Sequence, residues 1–208
     1  MNPYRLYLVT DEHQDIETLK HVVSEAVKGG VTMVQVREKH GDIRAFIERA
    51  DAIKSVLKGT GVPLIINDRV DVALAVQADG IHLGQSDMQA SLARKLTGKD
   101  MLLGLSVENE AQLQEAQSLP VDYLGISAIF ATPTKTNTIK HWGIDGLKKA
   151  VEVSKLPLVA IGGINDSNIK EIVKTGVDGI ALVSAICHAK DPKQASSELR
   201  TILDSSKV

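Results

Sequence analysis

Short apolar runs alternate along the chain with stretches whose apolar residues recur every three or four positions. The first run covers residues 4–10, and the stretch after it places Ile16, Leu19, Val22 and Ala26 on one face. Such alternation predicts repeated strand–helix units. The runs are almost continuously apolar, which is typical of parallel strands covered on both faces. We predict strands over 4–10, 32–37, 64–68, 80–84, 101–105, 121–129, 157–161 and 179–183.

Eight strand patterns alternate with eight helical patterns. Their even spacing, in a chain of 208 residues, favours a (β/α)8 TIM barrel that spans residues 1–208 as a single catalytic domain. A doubly wound open sheet is the alternative, but the first strand ends in Thr10-Asp11 without a glycine-rich dinucleotide fingerprint. Short polar residues predict the helix N-caps, namely Asp15, Asp42, Asn109 and, before helix 169–175, Asn165 or Asp166.

The composition narrows the classes of partner. A net charge of -2 and an aromatic content of 3% disfavour general binding of nucleic acids or membrane surfaces. The apolar runs are far shorter than a bilayer span, and the N-terminal run is too short for a signal peptide. The single cysteine, Cys187, lies among apolar residues, which indicates a core position and suits a reducing, cytoplasmic location. The sequence leaves a homodimer open.

Two aspartates follow neighbouring predicted strands. Asp68 ends the run that begins at Leu64, Asp87 lies just beyond Gly84, and a compact helical pattern separates them. Parallel strands joined by such a crossover end at the same edge of the sheet, so the two carboxylates can converge. Mg²⁺ takes one or two protein carboxylates and completes its shell with water and phosphate. Two solvated loop aspartates remain the alternative interpretation.

Polar residues are concentrated where the predicted strands end, which is where a barrel carries its active site. Gly162-Gly163 and Val183-Ser184 follow the last two strands, and barrels often bind a phosphate there, although glycines in tight turns could serve shape alone. The threonine-rich loop 131–138 could hold phosphate oxygens or be a solvated surface loop. The polar set at these ends is Gln35, Arg37, Lys39, Asn67, Asp68, Asp87, Ser106, Thr132, Thr134, Lys135, Gly162, Gly163 and Ser184.

The histidines give no metal signature. Their spacing contains no His-x-x-x-His and no paired Cys/His pattern, which argues against zinc. His82 lies inside a predicted strand, and we interpret it as a hydrogen-bonded core residue rather than as a catalytic group.

Several segments, in this order, resemble the thiamin-phosphate synthase family. They include Gln35-Val36-Arg37-Glu38-Lys39, Asn67-Asp68-Arg69, Gly80-Ile81-His82-Leu83-Gly84-Gln85-Ser86-Asp87, Thr132-Pro133-Thr134-Lys135, Ile161-Gly162-Gly163-Ile164 and Val183-Ser184-Ala185-Ile186. The resemblance spans nearly the whole chain. It implies a transferase of thiamine biosynthesis that joins an aminomethylpyrimidine diphosphate to a plain or carboxylated thiazole phosphate, releasing pyrophosphate by a Mg²⁺-assisted dissociative path.

The resemblance also implies a role for each matching position. Mg²⁺ is expected on Asp68 and Asp87, and Lys39, Ser106 and Lys135 are the expected catalytic residues. The pyrimidine diphosphate is expected to contact Gln35, Arg37, Lys39, Asn67, Ser106 and Lys135. The thiazole phosphate is expected to contact Thr132, Thr134, Gly163, Val183 and Ser184.

Glu108 departs from the family pattern, in which a His or Thr commonly stands at this position. The related thiazole tautomerases use a histidine in this region and tend to lose the diphosphate and metal residues. This chain keeps those residues and lacks the histidine, which favours the synthase. A non-catalytic phosphate-binding protein on the same barrel is a further alternative. Because a carboxylate would repel a diphosphate, we expect Glu108 at the solvent-facing rim.

Overall fold

The computed structural model describes residues 2–131 and 141–205 of the chain. Eight parallel strands close into a barrel in sequence order, with β8 pairing back onto β1 through Leu6 and Ile180. This confirms the predicted (β/α)8 fold. The strands are β1 Leu6–Val9, β2 Met33–Val36, β3 Leu64–Asn67, β4 Gly80–Leu83, β5 Leu102–Val107, β6 Tyr123–Ser127, β7 Leu158–Ile161 and β8 Gly179–Leu182.

Helices cover the outside of the barrel, and three of their predicted N-caps are confirmed. The side chains of Asp15, Asp42 and Asn109 each accept a hydrogen bond from a backbone N–H of the following first turn. Within the described residues, no helix combines the length and apolar character of a bilayer span. The helices are α1 Ile16–Lys28, α2 Ile43–Leu57, α3 Val70–Ala75, α4 Ala90–Thr97, α5 Glu110–Ala116, α6 Gly143–Val153, α7 Ile169–Lys174, α8 Ser184–Cys187 and α9 Pro192–Ser205.

Two local predictions at the end of the chain differ from the structure. The N-cap of α7 is Asn168, so the prediction of Asn165 or Asp166 was wrong. Asn165 instead accepts a bond from the Ser167 N–H, which forms a local turn of the kind that competes with capping. The short α8 was also not predicted, because four residues are too few to show helical periodicity.

The apolar core has two parts. The larger part lies between the outer face of the barrel and the helices. The smaller part fills the barrel interior and contains two tyrosines whose hydroxyl groups are fully enclosed. Because side chains fill the interior, open space is left above them, at the carboxyl ends of the strands. The interior residues are Tyr7, Val9, Met33, Ile65, Tyr123, Val159 and Ala181.

Gly179 permits the barrel to close between β8 and β1, and its substitution should be costly. A Cβ at this position would lie 1.7 Å from the carbonyl oxygen of Tyr4, which is backbone and cannot rotate away. We expect Gly179→Ala to lower the free energy of unfolding by about 2 kcal/mol or more, measured by urea denaturation. Gly146→Ala is the matched control: it lies inside α6 with no contact closer than 3.4 Å, and alanine there should be neutral or slightly stabilising. Equal stability of the two variants would contradict this account of closure.

Candidate active site

A cavity of about 980 Å³ opens at the carboxyl ends of the strands. Its walls contain every described residue that sequence analysis placed in the site, so the structure brings this set together. Thr132, Thr134 and Lys135 lie outside the described residues. The predicted residues that line the cavity are Gln35, Arg37, Lys39, Asn67, Asp68, Asp87, Ser106, Gly162, Gly163, Val183 and Ser184.

Asp68 and Asp87 converge on one side of this cavity. Asp68 follows β3 with a left-handed backbone (φ 62°), and its side chain is 15% exposed and forms an ion pair with Nζ of Lys39. One carboxylate oxygen of Asp87 accepts a hydrogen bond of 2.6 Å from the Gly84 N–H. Burial raises the pKa of Asp87, and the neighbouring Asp68 raises it further. The two carboxylates are therefore close neighbours rather than separate solvated loop residues.

This carboxylate pair has the chemistry of a magnesium site that is completed by substrate. Two acidic oxygen donors repel each other at short range, and a hard cation between them relieves that repulsion. Among the residues that the structure describes, no group of three or more His, Cys, Asp or Glu side chains could hold a metal by itself. A cation here would need ligands from water and phosphate, which is the mode that Mg²⁺ prefers.

The loop after β2 is held in place by Glu12, a residue that sequence analysis did not single out. Its carboxylate accepts bonds from the N–H groups of Lys39 (2.9 Å) and His40 (3.0 Å). Burial raises the pKa of Glu12, but these hydrogen bonds lower it by more, so the group is held as a carboxylate. Glu38 pairs with Arg49 at 2.7 Å, which leaves Arg37 and Lys39 in the wall of the cavity. No local sequence signal links Glu12 to a loop that begins 25 residues later.

Gly162 and Gly163 form the cavity wall after β7. Both have positive φ angles, 98° and 68°, and a Cβ on Gly163 would lie 2.7 Å from the carbonyl oxygen of Ala131. Glycine is therefore required by the backbone shape alone, as one sequence interpretation held. Val183 and Ser184 lie in the same wall, and α8 begins at Ser184. The wall also has room for a ligand next to backbone groups, which is what the phosphate-binding interpretation of these glycines requires.

Glu108 is not a fully solvent-facing rim residue. It is half-buried and lines the cavity, so the expectation of a rim position was wrong. Its backbone N–H donates to Oε1 of Gln112, which fixes the start of the loop after β5. The preference for the rim rested on the repulsion between a carboxylate and a diphosphate. Asp68, Asp87 and Lys39 occupy the walls after β2, β3 and β4, whereas Glu108 follows β5.

Cys187 is enclosed as the sequence indicated, and this gives a direct test. The residue is 4% exposed, and burial raises the pKa of its thiol to about 12. At pH 8 the thiolate, which is the reactive form, is therefore almost absent. We expect a thiol reagent to leave the folded protein unlabelled over an hour and to modify the same residue completely in urea. Since the chain has one cysteine, labelling is read directly as mass. Complete labelling of the folded protein within minutes would contradict the buried position.

Comparison with known proteins decides the family. The family model described as thiamine monophosphate synthase matches residues 6–186. The chain belongs to this thiamine monophosphate synthase family. Thiamine-phosphate synthases are transferases, so the predicted family and enzyme class are confirmed. The matched range contains all the site residues discussed above.

Similar proteins carry the same family name. The chain is 73% identical to the thiamine-phosphate synthase of Vibrio campbellii, covering 96% of this chain and 98% of that protein. It is 69% identical to the corresponding synthase of Vibrio parahaemolyticus, covering 98% and 100%. The thiamine phosphate pyrophosphorylase structure from Pyrococcus furiosus superposes with a TM-score of 0.90 at 38% identity, covering 100% and 98%. These names support the synthase over the tautomerase and the binding protein.

Proposed function

We propose that the chain condenses 4-amino-2-methyl-5-(diphosphooxymethyl)pyrimidine with 4-methyl-5-(2-phosphoethyl)thiazole, plain or carboxylated, to give thiamin phosphate and pyrophosphate. The carboxylated thiazole also loses CO₂. The observation that carries this proposal is the convergence of Asp68, Asp87 and Lys39 in the cavity of a thiamine monophosphate synthase family barrel. A diphosphate is the substrate group that needs both a metal-binding carboxylate pair and a lysine.

The diphosphate end of the proposed site lies after β2, β3 and β4. Asp68 and Asp87 would hold Mg²⁺, which synthases of this family generally use and which would neutralise charge on the departing diphosphate. Lys39 and Arg37 face the same space. Nδ2 of Asn67 is buried there and has no hydrogen-bond partner among the described residues, so it is a donor available to the substrate.

The thiazole phosphate is proposed to bind at the opposite wall. Gly163, Val183 and Ser184 offer backbone groups and a hydroxyl in that wall. Barrels commonly bind a phosphate after their seventh and eighth strands, which supports this assignment. Thr132 and Thr134 are proposed to contribute from the preceding loop, as the family resemblance implies. The two phosphate groups would then lie on opposite sides of one cavity.

The proposed chemistry is dissociative. The thiazole nitrogen is itself nucleophilic and needs no base to remove a proton from it. The C–O bond to the diphosphate breaks first, leaving a methylene cation stabilised by the pyrimidine amino group, and the thiazole nitrogen then forms the C–N bond. Lys39 and Lys135 favour the charge that develops on the leaving group, and Ser106 orients the ring. Binding both substrates in one cavity fixes the geometry of attack.

The proposal is tested by incubating the purified protein with both precursors and Mg²⁺ and measuring thiamin phosphate. The synthase predicts product that depends on both precursors and on the metal. Isomerisation of the carboxylated thiazole without condensation would favour a tautomerase instead. Binding of either precursor without any turnover would favour a non-catalytic phosphate-binding protein.

Three further sequence predictions stay as proposals. Residues 1–208 are proposed to form one catalytic domain that acts in the cytoplasm on small-molecule substrates. A homodimer is compatible with this activity.

A further inference from the structure

Five side chains form an unbroken line of hydrogen bonds across the barrel interior, at the floor of the cavity. Nε2 of Gln35 donates to the Tyr7 hydroxyl (2.7 Å), which lies 2.9 Å from the hydroxyl of Tyr123. That hydroxyl lies 3.0 Å from Nδ1 of His82, and Nε2 of His82 lies 2.8 Å from the hydroxyl of Ser106. We call these five residues the relay. All five residues line the cavity, and Gln35 and Ser106 are the two ends of the relay.

The side chains of the relay fill space that is left open because residue 104 is a glycine. A Cβ on Gly104 would lie 2.5 Å from both the Tyr123 hydroxyl and Nδ1 of His82. Tyr7, Tyr123 and Gln35 are at most 4% exposed, and the His82 and Tyr123 rings are 5.5 Å apart. Burial raises the pKa of each tyrosine, so each hydroxyl keeps its single proton.

The proton count gives the relay a direction. Because Tyr7 accepts from the amide of Gln35, its own proton goes to Tyr123, whose proton goes to Nδ1 of His82. His82 then carries its proton on Nε2 and donates to Ser106. The Ser106 hydroxyl proton is left to donate into the cavity.

The other end of the relay is an acceptor. The amide oxygen Oε1 of Gln35 has no hydrogen-bond partner among the residues described, and Gln35 lies in the cavity wall. The relay therefore presents one oriented acceptor, Oε1 of Gln35, and one oriented donor, the hydroxyl of Ser106.

We infer that Tyr7, Tyr123 and His82 are positioning residues that fix this donor–acceptor pair for recognition of the aminopyrimidine ring. The inference rests on the proposed function. An aminopyrimidine offers an amino donor and ring-nitrogen acceptors around its edge, which complement the acceptor of Gln35 and the donor of Ser106. A pyrimidine with an oxo group in place of the amino group would place an acceptor opposite Oε1 of Gln35, which is also an acceptor. The Gln35 oxygen would then have no hydrogen-bond partner. The relay thus determines selectivity for the amino ring, and its three central residues, which also line the cavity, act through Gln35 and Ser106.

The test measures equilibrium binding of the aminopyrimidine diphosphate by calorimetry, without thiazole so that no turnover occurs. Tyr7→Phe and Tyr123→Phe each remove one hydroxyl and keep the ring. Each should weaken this binding by about tenfold, and each should reduce the preference for the amino ring over its 4-oxo analogue. Binding of the thiazole phosphate should change by less than about twofold. Tyr4→Phe is the matched control, because its ring packs on Tyr123 at 5.0 Å outside the relay, and it should bind like the wild type.

The outcomes separate the inference from the proposed function. A wild type that makes thiamin phosphate, with Tyr7→Phe and Tyr123→Phe variants that keep the wild-type affinity and preference, overturns the relay alone. Equal weakening of both substrates by these variants also overturns it, since that pattern indicates general loss of structure. A wild type that neither binds the aminopyrimidine diphosphate nor makes product overturns the proposed function, and the inference with it.

Discussion

Alanine in place of Asp68 or Asp87 will lower kcat/KM by about a hundredfold or more while the barrel stays folded. Each substitution removes an oxygen donor from the carboxylate pair, and the charge on the departing diphosphate is then poorly neutralised. Both residues lie in loops beyond the strands, so the core is untouched. The measurement is steady-state formation of thiamin phosphate as a function of Mg²⁺ concentration, with circular dichroism to verify folding.

If Asp68 and Asp87 bind Mg²⁺, their variants should respond to the Mg²⁺ concentration, which would not be expected if the substitutions only removed negative charge. The deficit of either variant should shrink as the Mg²⁺ concentration rises, because weaker binding is offset by mass action. Asp71→Ala is the matched control: this carboxylate pairs with Arg69 on the surface, its side chain is 55% exposed, and it does not line the cavity. Wild-type activity for Asp68→Ala or Asp87→Ala at limiting Mg²⁺ would exclude the assigned role.

An electron-withdrawing substituent on the pyrimidine will slow the chemical step by roughly a thousandfold or more. If the diphosphate leaves before the thiazole attacks, the methylene carries positive charge, and a fluorinated methyl group on the ring withdraws the electrons that stabilise it. A thousandfold effect corresponds to about 4 kcal/mol in the barrier. The chemical step is measured by rapid quench in a single turnover, so that product release does not mask it.

The same substrate distinguishes the two mechanisms. Direct displacement by the thiazole builds little charge on the methylene, so its rate should change little with the substituent. The plain ring is the matched comparison, and competition binding shows whether the fluorinated ring still occupies the site. A single-turnover rate within a few-fold of the normal substrate would show that the cation hypothesis is wrong for this enzyme, even if Asp68 and Asp87 act as predicted.

The parts of the fold that were predicted correctly depend on local patterns. Strand–helix alternation and the caps at Asp15, Asp42 and Asn109 are set by neighbours a few residues apart. The convergence of Asp68 and Asp87 needs one further rule, that parallel strands end at the same edge. Where local signals compete, prediction failed: Asn165 forms its own turn, and Asn168 is the cap of α7.

The parts that were missed depend on contacts between distant residues. The Tyr7–Tyr123 hydrogen bond joins residues 116 positions apart. No periodicity in the sequence indicates that two inward-facing tyrosines are connected by hydrogen bonds to His82. The expectation that His82 is a hydrogen-bonded core residue fits the structure, yet its partner Ser106 could be identified only in three dimensions. Glu12 is a similar case, because its role comes from the barrel bringing the loops after β1 and β2 together.

The central claim is that one cavity couples departure of the diphosphate to formation of the bond with the thiazole. The most direct measurement is the ratio of pyrophosphate released to thiamin phosphate formed, followed over time with both precursors and Mg²⁺. The account predicts a ratio of one, with neither product formed when either precursor is left out. Pyrophosphate release that continues without the thiazole phosphate, or that exceeds thiamin phosphate several-fold, would contradict it and show a hydrolase rather than a synthase.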